Sequence, residues 1–150
     1  MIRRQQSLLE VKAYIGLGSN IEPRVRHLMS AVHRLSRTDG ITVDAVSSVY
    51  ASAAHTLDSA PQPDYLNAVI RASTSLEAEK LLDVCRTIER ELGRRGPAQR
   101  WAPRQIDLDI LLYGEQVVGT DRITVPHPRL RERLFVLIPL SEVLLNPLAI

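Results

Sequence analysis

The sequence predicts an α+β domain of ferredoxin-like type: a βαββαβ core, an antiparallel sheet with helices packed on one face, and a short C-terminal helical segment. Three observations predict it. Strand-like and helix-like periodicities follow the order strand, helix, strand, strand, helix, strand, which is the split βαβ pattern. A chain of 150 residues has the size of one compact domain. With 45% hydrophobic and 24% charged residues, it is too apolar for a disordered chain.

Residues 1–10 carry no strong pattern and read as an N-terminal extension to a single domain over 11–150. Val11 to Leu17 alternate loosely and run into Gly18-Ser19-Asn20, a strand followed by a turn. Pro23 suits the first turn of a helix, and Val25, Leu28, Met29, Val32 and Leu35 recur at helical spacing until Asp39-Gly40. Ile41 to Tyr50 returns to β-branched alternation. Residues 51–64 form a loop of small residues and proline, and Tyr65 to Ser73 is a third strand. Thr74 and Glu77 have the spacing of a capping box before a helix marked by Ala78, Leu81, Leu82, Cys85, Ile88 and Leu92, with Gly93 at its end. After an arginine-rich loop, Gln105 to Tyr113 is a fourth strand. Gly114-Glu115-Gln116 turns into a short hairpin strand at 117–118, with another at 123–125, and residues 129–134 and 139–145 read as short helical pieces.

Charge and cysteine content narrow the function classes. The single cysteine, Cys85, excludes an internal disulfide and a cysteine-built metal cluster. No signal-peptide core follows the basic N-terminus and no apolar run has the length of a membrane span, so the expectation is a cytoplasmic protein without a membrane partner. Net charge is only +2, yet all but Lys12 and Lys80 of the 19 basic residues are arginine. Genomic base composition accounts for part of that excess. Position adds to it, because ten arginines lie between Arg86 and Arg133, a concentration suited to an anion.

The sharpest local feature is Ile106-Asp107-Leu108-Asp109-Ile110-Leu111-Leu112. Strand alternation sends Ile106, Leu108, Ile110 and Leu112 towards the core and Asp107 with Asp109 to the opposite face. Their Cα atoms then stand roughly 7 Å apart, from which both carboxylates reach hard cations. Two such ions form the usual clamp on a transferring phosphoryl group. A solvated acid pair is the plain alternative, but aspartate is depleted in strands and like charges on one face repel. With no cysteine or histidine in the segment, an all-oxygen magnesium site fits better than zinc. Arg100 and Arg104, flanking Trp101 just before the acids, suit a magnesium-bridged polyphosphate; as surface residues they would simply pair with acidic neighbours.

The run Arg100-Trp101-Ala102-Pro103-Arg104-Gln105-Ile106-Asp107-Leu108-Asp109-Ile110-Leu111 closely resembles the signature of the 6-hydroxymethyl-7,8-dihydropterin pyrophosphokinases. Four further segments match in order: residues 13–20, 46–50, 63–68 and 124–128, so that the resemblance spans roughly residues 12–145. It implies transfer of the terminal diphosphate of ATP to the hydroxymethyl group of a reduced pterin, releasing AMP, a step in folate biosynthesis. It also implies two Mg2+ ions held by Asp107 and Asp109. Arg94, Arg104, Asp107 and Asp109 would form the catalytic set, and Tyr65, Asn67 and Phe135 the pterin pocket. Glu89, Arg100, Trp101, Arg104, Ile110, Arg122, Thr124, His127 and Arg133 would face ATP. Read without the family, Phe135 is a core residue, Asn67 a polar residue of a strand face and His127 a turn residue. Glu89 is then a solvated partner of Arg86 or Arg90.

Two departures qualify the resemblance. Ser52-Ala53-Ala54-His55-Thr56-Leu57-Asp58 replaces the family's proline-proline-apolar-glycine stretch, and Gly96 with Pro97 stands where basic loop residues are usual. They motivate one rival, a catalytically impaired homologue that binds pterin or nucleotide. A second rival, an RNA-binding module, is disfavoured by 4% aromatic content and two acids on the binding face. The partners expected are therefore ATP and a reduced pterin, with no nucleic acid, and nothing in the sequence calls for more than a monomer.

Overall fold

A computed structural model describes residues 9–54, 61–93 and 105–144. In chain order the elements are β1 (Val11–Ser19), α1 (Arg24–Ser36), β2 (Ile41–Val46), β3 (Tyr50–Ser52), β4 (Tyr65–Thr74), α2 (Ala78–Glu91), β5 (Asp107–Tyr113), β6 (Val118–Gly119), β7 (Thr124–Val125) and α3 (Leu134–Val143). The main sheet runs β2-β4-β1-β5 with β3 pairing on β4, and every pairing is antiparallel. With β3 set aside, this is the expected βαββαβ arrangement. β5 stands at one edge.

Alternation along the strands builds two apolar layers. Ala13, Ile15, Leu17, Ile70, Ala72, Leu108 and Ile110 meet Leu28, Ala31 and Leu35 of α1 and Leu81, Leu82, Cys85 and Ile88 of α2. Tyr14, Val69 and Leu111 face the other way, against Leu140 and Val143 of α3. Both faces of the sheet are therefore covered, whereas the sequence reading placed its helices on one. Each fully buried aliphatic side chain in these layers contributes about 1.5–3 kcal/mol of burial.

Several local expectations are corrected. Leu112 does not share the phase of Leu108 and Ile110, because β5 bulges opposite Tyr14 and Ile15: Tyr14 pairs with Leu112 and Ile15 with Ile110. Leu111 is the extra residue, so Leu112 joins the α3 layer. Gly18 is strand, paired with Asn67 and Asp107, and not part of a turn. On α1, Leu28 and Leu35 are buried, but Met29 is 66% exposed and the small Ala31 fills the core instead. The capping box does not form. Thr74 Oγ1 donates to the Gly40 carbonyl and accepts the Leu76 N–H, and α2 begins only after Glu77. The region 41–50 divides into β2 and the start of β3, and α3 is one helix that runs through Pro139.

Candidate active site

The α3 side of the sheet opens into one cavity of about 740 Å³. Its floor comes from three neighbouring strands in register. Gly16 lies opposite Asp109 and Gly18 opposite Asp107 across β1–β5, while Gly18 also pairs with Asn67 across β1–β4. A glycine beside each acid means that β1 contributes no side chain over either carboxylate. That gap is what allows the aspartates to face a ligand.

Asp107 and Asp109 point to the same side, as alternation required, and both line the cavity. Burial, then the neighbouring Asp107 charge, pushes the Asp109 carboxyl up to about 6; Arg86 and Arg133 oppose that shift and Glu89 adds to it. Two carboxylates side by side on one strand face present a strong demand for positive charge.

The remaining expected residues divide into those the fold brings to the cavity and those it does not. Tyr65, Asn67 and Phe135 line it together with His127, Arg133 and Glu89. Asn67, 7% exposed, donates its amide nitrogen to the Tyr50 carbonyl at 3.1 Å and to Ser52 Oγ at 2.8 Å. Both amide hydrogens therefore anchor β3, and Oδ1 is left as the acceptor atom of this side chain. The Arg133 guanidinium lies 5.7 Å from the centre of the Phe135 ring, joining the two ends of the cavity.

His127 follows a cis Val125–Pro126 peptide, and its backbone N–H donates to the Leu111 carbonyl at 2.9 Å. Its Nδ1 accepts the Arg129 N–H at 3.2 Å. Burial, Arg133 and Arg129 lower its pKa, leaving a neutral ring whose Nε2–H is the donor. Glu89 is not the solvated partner that helical spacing suggested. Its partner is indeed Arg86, at 2.8 Å, but the carboxylate is 1% exposed.

Ile110, Arg122 and Thr124 are not brought into the cavity. Ile110 is core, Arg122 is tied to Asp83 on the surface, and Thr124 is exposed on β7. Arg94, Arg100, Trp101 and Arg104 lie outside the described residues. Gly16, Arg86 and Arg90 line the cavity although no site role was drawn for them from sequence. The spacing of Gly16 and Gly18 on one strand face was the available signal. Cys85 lies buried in the core, where burial pushes its thiol up to about 12, so it is no nucleophile.

Fold and cavity together define an α+β protein whose sheet presents paired carboxylates ringed by arginines, the arrangement of an enzyme that handles a polyphosphate. The model of the 7,8-dihydro-6-hydroxymethylpterin-pyrophosphokinase family matches residues 14–145. The chain belongs to that family. It is similar to the 2-amino-4-hydroxy-6-hydroxymethyldihydropteridine pyrophosphokinase of Bacillus subtilis, 44% identical over 131 residues that cover 87% of this chain and 77% of the relative. The enzyme of the same name from Haemophilus influenzae is 41% identical over 133 residues, 89% of this chain and 81% of its own. That of Synechocystis is 40% identical over 131 residues, 87% of this chain and 65% of its own.

Proposed function

We infer that the protein is an ATP-dependent pyrophosphokinase that transfers diphosphate from ATP to the hydroxymethyl group of 6-hydroxymethyl-7,8-dihydropterin, yielding AMP and the pterin diphosphate for folate biosynthesis. The observation that carries this reading is the continuity of one cavity from Asp107 and Asp109 to Asn67 and Phe135. A phosphate-handling end and a flat-ring end thereby share one cavity.

The donor set fits magnesium. Among the described residues no group of three or more His, Cys, Asp or Glu side chains could hold a metal by itself. Two carboxylates completed by water and phosphate oxygens are what magnesium accepts, and a cation there offsets the burial and the Asp107 repulsion that together raise the Asp109 pKa. Bound Mg2+, two ions in this proposal, would neutralise polyphosphate charge and align the β-phosphorus with the attacking oxygen.

The chain's own residues do the rest. Asp107 and Asp109 fix where the polyphosphate lies. Arg133 and the neutral His127 Nε2–H meet phosphate oxygens, and Arg94, Arg100 and Arg104 are proposed to join them from the preceding loop with Trp101. Tyr65, Phe135 and the Asn67 carbonyl hold the pterin plane and its edge. Little covalent work falls to the protein, so alignment and charge neutralisation supply the rate. Incubation with ATP, magnesium and the dihydropterin tests the reading. AMP and pterin diphosphate should form, and formation should be lost in Asp107→Asn and Asp109→Asn. Turnover that survives both substitutions would refute it.

A further inference from the structure

We propose that Arg86 and Glu89 of α2 are positioning residues that clamp the backbone on both sides of Leu108 and so set the aim of Asp107 and Asp109; the functional part of this proposal rests on the diphosphate transfer inferred above. Leu108 sits between the two acids on β5, the edge strand, opposite Leu17 of β1. Its N–H and C=O turn away from β1, towards the side where, among the described residues, no further strand follows. The N–H donates to Glu89 Oε2 at 2.9 Å, and the carbonyl accepts from Arg86 Nη1 at 3.0 Å. Arg86 Nη1 also donates to Glu89 Oε1 at 2.8 Å, closing the ring. One turn of helix therefore offers the two peptides flanking the Leu108 Cα the acceptor and donor that another strand would have supplied.

An ordinary device for an exposed edge is a solvated lysine, a proline or a covering loop. Further along β5 such a loop does serve: the Leu111 carbonyl accepts the His127 backbone N–H. At Leu108 the fold instead buries a carboxylate to 1% exposure, which is costly unless it is paired and hydrogen-bonded. The cost falls at the one residue, Leu108, whose backbone rotation would swing Asp107 and Asp109 relative to each other. Carboxylates that share a ligand must be held to within about 0.5 Å, and rigid neighbours hold them. Both Glu89 oxygens take part in the clamp, which ties this carboxylate to the Leu108 backbone. Arg86, with its side chain 39% exposed, lines the cavity from the same turn.

The test replaces the pair by apolar groups of similar volume, Arg86→Met with Glu89→Leu, a change that buried ion pairs commonly survive without loss of stability. Amide exchange at Leu108 in the ligand-free full chain, calorimetric affinity for a non-hydrolysable ATP analogue with Mg2+, and thermal melting are measured beside wild type. The clamp predicts faster exchange at Leu108, a melting temperature close to wild type, and nucleotide affinity weakened by about 10–100-fold, with kcat falling alongside. Arg86→Met alone leaves Glu89 buried without its cation and should also lower the melting temperature; faster exchange at Leu108 together with weakened nucleotide affinity in the folded protein carries the test if the double variant does not fold. Arg86→Lys, which keeps a donor, should recover part of the loss. Unchanged Leu108 exchange, or unchanged nucleotide affinity in a folded variant, would overturn the proposal. So would an equal decline of melting temperature and affinity in the double variant, the mark of a merely structural pair. A wild-type chain that forms no AMP would sink the proposed reaction, yet the Leu108 exchange comparison would still decide the clamp.

Discussion

Gly18 stands directly across from Asp107 on the neighbouring strand and offers that carboxylate no side chain. On its other side Gly18 pairs with Asn67, so a single residue without a Cβ separates the acid end of the cavity from the ring end. A Cβ built there would lie 3.3 Å from the Tyr65 ring and 3.4 Å from Asn67 Oδ1. Those contacts are tight without being forbidden. Gly18→Ala should therefore raise KM for the pterin while leaving KM for ATP little changed. Gly18→Val should lose on the order of tenfold or more in kcat/KM, since misplacement by about 1 Å can cost a hundredfold. Steady-state kinetics with each substrate varied separately would check both, and a valine variant with wild-type pterin KM would count against this placement of the ring.

Asp109 carries a cost that its function explains. A carboxyl with a folded pKa near 6 still binds a proton that the unfolded chain, at the ordinary 3.8, has released. Between those values the native state binds more protons, so this group's contribution to stability falls as pH rises, with the full penalty standing above about 6. Asp109→Asn removes the charge. The metal-free variant should be more stable than wild type at pH 7, by roughly 1–3 kcal/mol, and inactive. Urea unfolding in chelator, repeated at falling pH, should show the advantage shrinking towards zero near about pH 4. A variant less stable than wild type at neutral pH would contradict the account.

The acid pair was legible because it depends only on strand period: Asp107 and Asp109 share a face whatever the sheet order. The order of elements was legible for the same reason, since periodicity is local. What sequence could not show depends on neighbours. The bulge at Leu111 reverses the phase of Leu112, and nothing between Asp107 and Tyr113 marks it. Glu89 looks like half of an ordinary surface pair on helical spacing; only the position of β5 at the sheet edge turns it into a buried acceptor for Leu108. The sequence predicts separate helical pieces at 129–134 and 139–145, but α3 runs unbroken over Leu134–Val143, with Pro139 inside it, because its apolar residues lie against Tyr14 and Val69. Tertiary burial outweighed a local breaker there.

His127 provides a test of charge. Burial and the nearby Arg133 and Arg129 hold its pKa below the ordinary 6.5, and Nδ1 already accepts a backbone N–H. It should act as a neutral donor through Nε2. Nucleotide affinity should then show no loss attributable to this ring between about pH 6 and 8. His127→Gln, which keeps an N–H donor, should retain more affinity than His127→Ala. Affinity that weakens as pH rises through this range in wild type, and not in His127→Gln, would point to an imidazolium instead.

Glu142, near the end of α3, lies far along the helix from Phe135 but governs the same slot. One carboxylate oxygen accepts the Tyr50 hydroxyl at 2.5 Å, and the other accepts the Ser48 N–H at 3.1 Å and hydroxyl at 2.7 Å. Those bonds fasten α3 to the segment leading into β3. β3 in turn holds Asn67 through the Tyr50 carbonyl and Ser52. The two walls of the pterin end, Phe135 on one side and Ser52 with Ala53 on the other, are thus set by one exposed carboxylate. Glu142→Ala should raise KM for the pterin several-fold with KM for ATP nearly unchanged, and Tyr50→Phe should show a smaller effect in the same direction. The Tyr50 and Ser48 bonds lower the Glu142 pKa, so the tie should persist above the ordinary carboxylate range and loosen only as pH falls through the lowered value. Equal changes in both Michaelis constants would mean that the tie supports the fold at large and does not set the width of the slot.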